Sequence, residues 1–117
     1  MTVEEITKNQ KEICEKYKTD WVEAPLEFKI GVSKNLKSGS MPINALRHPQ
    51  ENGTAGWYIW AGEYSEDKEF FDAMHISHLV DQYPELLKYL GLAPGSRFQI
   101  DDKGHEDVWF DEKLLTI

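Results

Sequence analysis

The chain opens on a helical rhythm. Val3, Ile6, Ile13, Cys14 and Tyr17 recur on one face, with Lys and Glu elsewhere. That spacing predicts an amphipathic helix from about residue 3 to 18. Thr2 followed by Glu5 forms a capping box at its start. The period then drops to two. Leu26, Phe28, Ile30 and Val32 share one face and Glu27, Lys29, Gly31 and Ser33 the other, the pattern of a half-buried strand over 26–33. A polar loop, NLKSGSMP, leads to a short strand from Ile43 to His48, ended by Pro49. Asn52-Gly53-Thr54, which fits the glycosylation triplet, reads better as a turn.

Next comes GWYIWAGE. Trp57, Tyr58, Ile59 and Trp60 place large residues on both faces, so this strand is central or covered on both sides. Ser65, with Glu66 and Asp67 behind it, reads as the cap of a helical turn that points Phe70, Phe71 and Met74 inward. A helical region follows from about 76 to 90, split by Pro84 at the first position of a new helix. Gly91 is placed as a left-handed cap, with Leu92 reaching Leu87 and Pro94 barring continuation. The last third is a hairpin: Arg97–Ile100 and Asp107–Phe110 flank a loop of Asp102, Lys103 and Gly104. The order of helix, strands, helices and hairpin predicts an α+β domain over 1–117. Its antiparallel sheet has four to six strands, with helices packed mainly on one face. Trp57 or Ile59, and Phe98 or Ile100, are its expected core.

Charge adds a direction. The net charge is −8, concentrated in two stretches. Residues 61–74 hold Glu63, Glu66, Asp67, Glu69 and Asp72 against Lys68; residues 101–112 hold Asp101, Asp102, Glu106, Asp107, Asp111 and Glu112 against Lys103. Such a surface repels phosphate backbones and anionic membranes and favours a basic protein partner, although acidity also serves solubility alone. The stretch 61–74 follows the GWYIW strand and 101–112 makes the terminal hairpin; if those strands lie near each other in the sheet, the charges converge on one edge. The charged N-terminus offers no signal peptide and no segment is long enough to span a bilayer, so a cytoplasmic, bacterial-cytosol type of protein is expected. Cys14 stands alone and on the apolar helix face, so it reads as a packed thiol.

Candidate chemistry is sparse. His75 and His78 are three apart, as metal ligands can be, with Asp72 one turn earlier and His48 or His105 available. They lack a third ligand at a diagnostic spacing, so no metal or other cofactor is expected. Glu63, Glu66, Glu106 and Asp107 could supply a carboxylate pair, but nothing fixes their separation. No phosphate loop, nucleophile elbow or zincin motif occurs, and no catalytic residue is assigned. Four tryptophans and five tyrosines leave another use. Trp60 and Trp109, rimmed by Glu63, Glu66, Asp67, Asp102 and Glu106, form a candidate aromatic and acidic surface for a basic protein.

Residues 45–115 resemble a known family. The strings ALRHP, GWYIWAGE, FF with H-x-x-H-L, P-E-L-L-K-Y-L-G-L-x-P-G-x-R-F and E-D-V-W-F-D-x-x-L-L are similar to the immunity-protein-33-like domains of bacteria. Ala93 stands where a second proline is expected and Ala61 where a serine is expected. The resemblance implies a cytosolic, non-enzymatic protein that binds and blocks a cognate toxin of a polymorphic toxin system, and it carries no catalytic residues. A housekeeping binding or scaffold protein of the same fold, and a small metal-dependent enzyme using His75 and His78, are the alternative readings.

Overall fold

The computed structural model describes residues 2–67 and 69–116; Lys68, counted among the charges above, lies outside them. Helix α1 runs Val3–Lys16, and the Thr2 hydroxyl accepts a bond from the Glu5 amide at 3.1 Å. The N-cap half of the expected capping box therefore forms, and the Glu5 carboxylate meets the Thr2 hydroxyl at 3.3 Å. Six strands follow: β1 (Lys29–Ser33), β2 (Ile43–Arg47), β3 (Thr54–Ala61), β4 (Phe71–His75), β5 (Ser96–Ile100) and β6 (Glu106–Phe110). Helix α2 (Ile76–Gln82) and a 3-10 segment at Pro84–Tyr89 stand between β4 and β5, and a second 3-10 segment, Glu112–Leu115, follows β6. The strand order is β4-β1-β3-β2-β5-β6. All neighbouring pairs are antiparallel except β1 and β3, which are parallel. β3 folds back from β2 in a hairpin and so enters between β1 and β2.

The architecture is thus the expected α+β sheet, and β3 is its central strand, as the two-sided bulk of GWYIW requires. One face bears Trp57, Ile59, Phe98 and Leu87 at no more than 1% exposure, with Ile100 at 9%, beneath the helical segments. Gln10 of α1 donates to the Leu87 carbonyl at 3.0 Å, and the Trp57 indole donates to the Leu90 carbonyl at 2.9 Å. These bonds tie α1 and the Pro84–Tyr89 segment over that face. Arg47 lies in the same layer, fully buried. Its guanidinium sits 5.7 Å from the Trp57 ring and donates to the main-chain carbonyls of Val22, Ala55, Leu90 and Leu92 at 2.7–3.2 Å, to that of Glu23 at 3.3 Å, and to the side-chain amide oxygen of Gln50. Every one of these acceptors is neutral. Burial accordingly lowers its pKa to about 10.

Four expectations need correction. Among the described residues of 65–70 there is no helical turn, and Phe71–His75 is an edge strand. The Ser65 hydroxyl does accept an amide, that of Asp67, and Asp67 in turn accepts that of Glu69. The capping side chains close local turns and the chain leaves them extended. The strand expected over 26–33 begins only at Lys29, and Gly31 and Ser33 are buried as well as Ile30 and Val32, so it is covered on both faces. The segment ending at Tyr89 is 3-10, not α, and Gly91 is not left-handed. A β-carbon at Gly91 would lie 2.6 Å from the Trp21 ring and 2.9 Å from Gln10. Gly91 is needed for close approach of the 20–22 segment and α1, not for a turn. Finally, the terminal hairpin does not adjoin the GWYIW strand: β2 stands between β3 and β5, and β6 is the sheet edge beyond.

Candidate functional site

The second face of the sheet carries no α-helix. Alternation along β3 sends Tyr58 and Trp60 to it, opposite Trp57 and Ile59. Cross-strand register brings Leu46 of β2 beside Tyr58 and Asn44 beside Trp60. On the other side, β1 offers Lys29 and the small Gly31 and Ser33, and β4 places Phe71 opposite Ser33 and Ala73 opposite Gly31. The Tyr58 ring lies flat over Gly31, where a β-carbon would meet it at 2.6 Å. That glycine leaves room for the aromatic ring to cover the strand.

These side chains form one continuous cluster. Tyr58 meets His48 edge-on at 5.6 Å between ring centroids and Phe71 at 5.3 Å. Phe71 meets Phe70 at 4.9 Å, Tyr64 at 6.1 Å and Trp60 at 6.3 Å; Tyr64 closes on Trp60 at 5.3 Å. Edge-to-face contacts of this kind contribute roughly 0.5–1.5 kcal/mol each beyond burial. Tyr58 remains 39% exposed and Tyr64 56%. Next to Tyr58 and Phe71 an apolar pocket of about 200 Å³ opens, also lined by Gly31, Thr54, Ala73 and the stem of Lys29. On the far side of the face, Gln99 donates to Asn44 at 2.9 Å and pairs with His105 at 3.0 Å, a polar ladder.

The predicted site residues fall into three groups. Trp60 is buried, at 6% exposure, so the expectation of an exposed anchor there is corrected: Tyr64 and Phe71 cover it. Trp109, 41% exposed, lies on edge strand β6 with the Arg97 guanidinium 5.9 Å from its ring, and Arg97 is held in turn by Asp111 at 3.0 Å. Glu63, Glu66, Asp67 and Asp102 are exposed. Glu106 is not free to meet a partner. It accepts from Lys16 at 2.6 Å and from the hydroxyls of Tyr17 and Tyr89 at 2.5 Å each. Partial burial pushes its carboxyl up, but those hydrogen bonds and the Lys16 charge outweigh burial and hold it at about 2. Burial and the same carboxylate raise Tyr89.

The acidic loop 62–70 and the turn 101–105 leave the sheet at the same end, because Ala61, Ile43, Ile100 and Glu106 stand in one cross-strand row. Three strand spacings separate them, roughly 14 Å. Sequence reasoning missed Tyr58, Tyr64 and Phe71 as surface residues. The dense aromatics of 57–71 were the signal, but Tyr58 reads as core until the strand order is known. His75 stands at the N-cap position of α2 without a side-chain bond to the helix, and its ring lies 5.9 Å from that of His78. Among the described residues no group of three or more His, Cys, Asp or Glu could hold a metal ion, and no helix is long and apolar enough to cross a membrane.

A family model described as the Imm33-like domain matches residues 9–111, most of the chain, and the chain belongs to that family. No curated protein and no solved structure matches it.

Proposed function

We propose, on the premise of that membership, that the chain is an immunity protein that neutralises a cognate toxin by covering part of its surface. The observation that carries the reading is the continuous aromatic cluster on the face without α-helices, which ends at the acidic loop 62–70. Rigid aromatic rings on a strand lose little conformational entropy when they bind, and exposed Tyr and Trp are the usual anchors of an interface. Tyr58, Tyr64 and Trp109 are the exposed rings of this molecule best placed for that role. Glu63, Glu66, Asp67 and Asp102 stand at the end of the sheet nearest Tyr64 and suit a basic partner, speeding encounter more than tightening the complex. The reading is of a binder in the cytoplasm, not a catalyst.

The test is direct. The chain and the product of the adjacent gene are mixed, and both complex formation and residual toxin activity are measured. A stoichiometric complex that suppresses the toxin is expected. Tyr58→Ala with Tyr64→Ala should weaken it at least about tenfold, the loss of one good anchor, in a protein that circular dichroism shows to be folded at the assay temperature. A toxin whose activity is unchanged in excess of the chain defeats the reading.

A further inference from the structure

Strand β4 is an edge strand with an unusual lack of protection. Its register with β1 is unbroken over five pairs from Lys29–His75 to Ser33–Phe71. The ladder is bracketed by Lys34 donating to the Phe70 carbonyl at 3.1 Å and Ile76 donating to the Phe28 carbonyl at 3.0 Å. In an antiparallel ladder the bonded pairs alternate. Asp72 and Met74 therefore turn their N–H and C=O groups toward β1; Phe71 and Ala73 turn theirs to the outside, as does the N–H of His75, whose carbonyl starts α2. Edge strands are normally blunted by proline, charge (lysine above all), a bulge or short length; β4 is short and carries the exposed Asp72, but it has no proline, lysine or bulge, and its one charge is acidic. The opposite edge is better guarded. The Tyr17–Asp20 segment faces Val108–Phe110 across a shared pocket, and Lys16 and Tyr17 reach Glu106 at its start.

We infer that the outer edge of β4 takes up an extended strand of the toxin, so that the six-stranded sheet becomes seven-stranded across the complex. This rests on the immunity reading and names how the partner is held. Side chains of an added strand alternate between the two faces. On the aromatic face they would lie beside Phe71 and Ala73, next to the apolar pocket, and should be apolar. On the other face they would lie beside exposed Asp72, at the end where Glu66, Asp67 and Glu69 emerge, and should be Lys or Arg. A second copy of this chain would bring another net charge of −8 to the same edge, so a basic segment is the occupant that charge favours. Backbone bonds give such an interface its affinity and the alternate side chains its selectivity.

Two measurements on the full chain with the adjacent-gene product test it. The first is amide hydrogen exchange. Phe71, Ala73 and His75 amides should slow at least about tenfold in the complex, whereas Asp72 and Met74, already bonded to β1, should change little. The second is Ala73→Pro, which removes an outward N–H and leaves the β1 bonds intact. It should weaken binding at least about tenfold, the cost of one interface hydrogen bond, while Ala73→Ser binds normally. If Ala73→Pro fails to fold, the exchange measurement alone decides. A tight wild-type complex in which the three outward amides exchange as in the free chain overturns strand addition and leaves the immunity reading standing. Absence of any wild-type complex overturns both. Protection of the same amides that rises with the concentration of the chain alone assigns the edge to a second copy and overturns the basic occupant.

Discussion

The two faces of the sheet solve the same problem in opposite ways. The face under α1, α2 and the 3-10 segment is sealed: Trp57, Ile59 and Phe98 are fully buried. Its polar groups are tied down one by one, with Arg47 on neutral oxygens and Glu106 on Lys16 and two tyrosines. The other face is covered only by its own rings, a loop and the C-terminal 3-10 segment, whose Leu114 carbonyl meets His48 at 3.1 Å. It keeps Tyr58 and Tyr64 in contact with water. The contrast separates two jobs that one sheet performs. Helix-covered residues decide whether the chain folds; on the function proposed above, ring-covered residues decide what it binds.

The comparison breaks most visibly at Arg47. Six main-chain or side-chain oxygens converge on its guanidinium from β3, the 22–23 segment, Gln50 and the end of the Pro84–Tyr89 segment. Arg47→Ala would strand several buried carbonyls and empty the space under Trp57. Each unsatisfied buried group costs about 1–3 kcal/mol, so a loss of at least about 4 kcal/mol is expected in urea titration. An Arg47→Ala protein within 1 kcal/mol of the parent would show that water replaces the guanidinium and that this face is not sealed.

Glu106 gives the next largest effect, and it depends on pH. Its carboxyl is held at about 2, against an ordinary value of 4.5. A depressed carboxylate stabilises the fold above its unfolded value, and that contribution disappears as pH falls through the folded one. The parent should therefore lose about 2 kcal/mol between pH 4.5 and 2 through this group. Glu106→Gln should be less stable than the parent by about that amount at pH 7 and show a shallower acid limb. Parallel acid curves for the two proteins would mean that Lys16, Tyr17 and Tyr89 do not hold the hairpin to α1.

Much of the sealed face was legible because its signals are local. The Thr2 cap, the period of α1, the bulk of β3 and the Asp102-Lys103-Gly104 turn each act within a few residues, and Gly104 takes the left-handed φ of +91° such a turn uses. The aromatic face was not legible, for two physical reasons. Ser65 and Asp67 use the same side-chain bonds in a turn as in a helix cap, so β4 was hidden behind a helix signal. The order of strands across the sheet depends on long-range pairing that no local pattern carries. Without it, Trp60 could not be told from an exposed ring, nor Glu106 from a surface carboxylate.

The smallest effect expected concerns the acidic end, and the sheet order changes its form. The loop 62–70 and the turn 101–105 lie at one end but roughly 14 Å apart across three strand spacings. That exceeds the screening length of about 8 Å at physiological ionic strength and is well inside the roughly 30 Å that holds near 0.01 M salt. Two patches that act separately in ordinary buffer should therefore act as one field at low salt. Glu63, Glu66 and Asp102 are the residues to reverse, because Asp67 holds the Glu69 amide and its replacement would disturb the turn. In stopped-flow association with the toxin, Glu63→Lys with Glu66→Lys should slow encounter by about threefold to tenfold, and Asp102→Lys by less, with dissociation unchanged. Near 0.15 M salt the combined variant should show the product of the separate effects. Near 0.01 M it should depart from that product, because each charge then shapes the approach to the other. Multiplicative effects at both salt concentrations would show that the two stretches never act together, and association that ignores both salt and these reversals would remove the acidic end from the binding surface and leave the aromatic face to act alone.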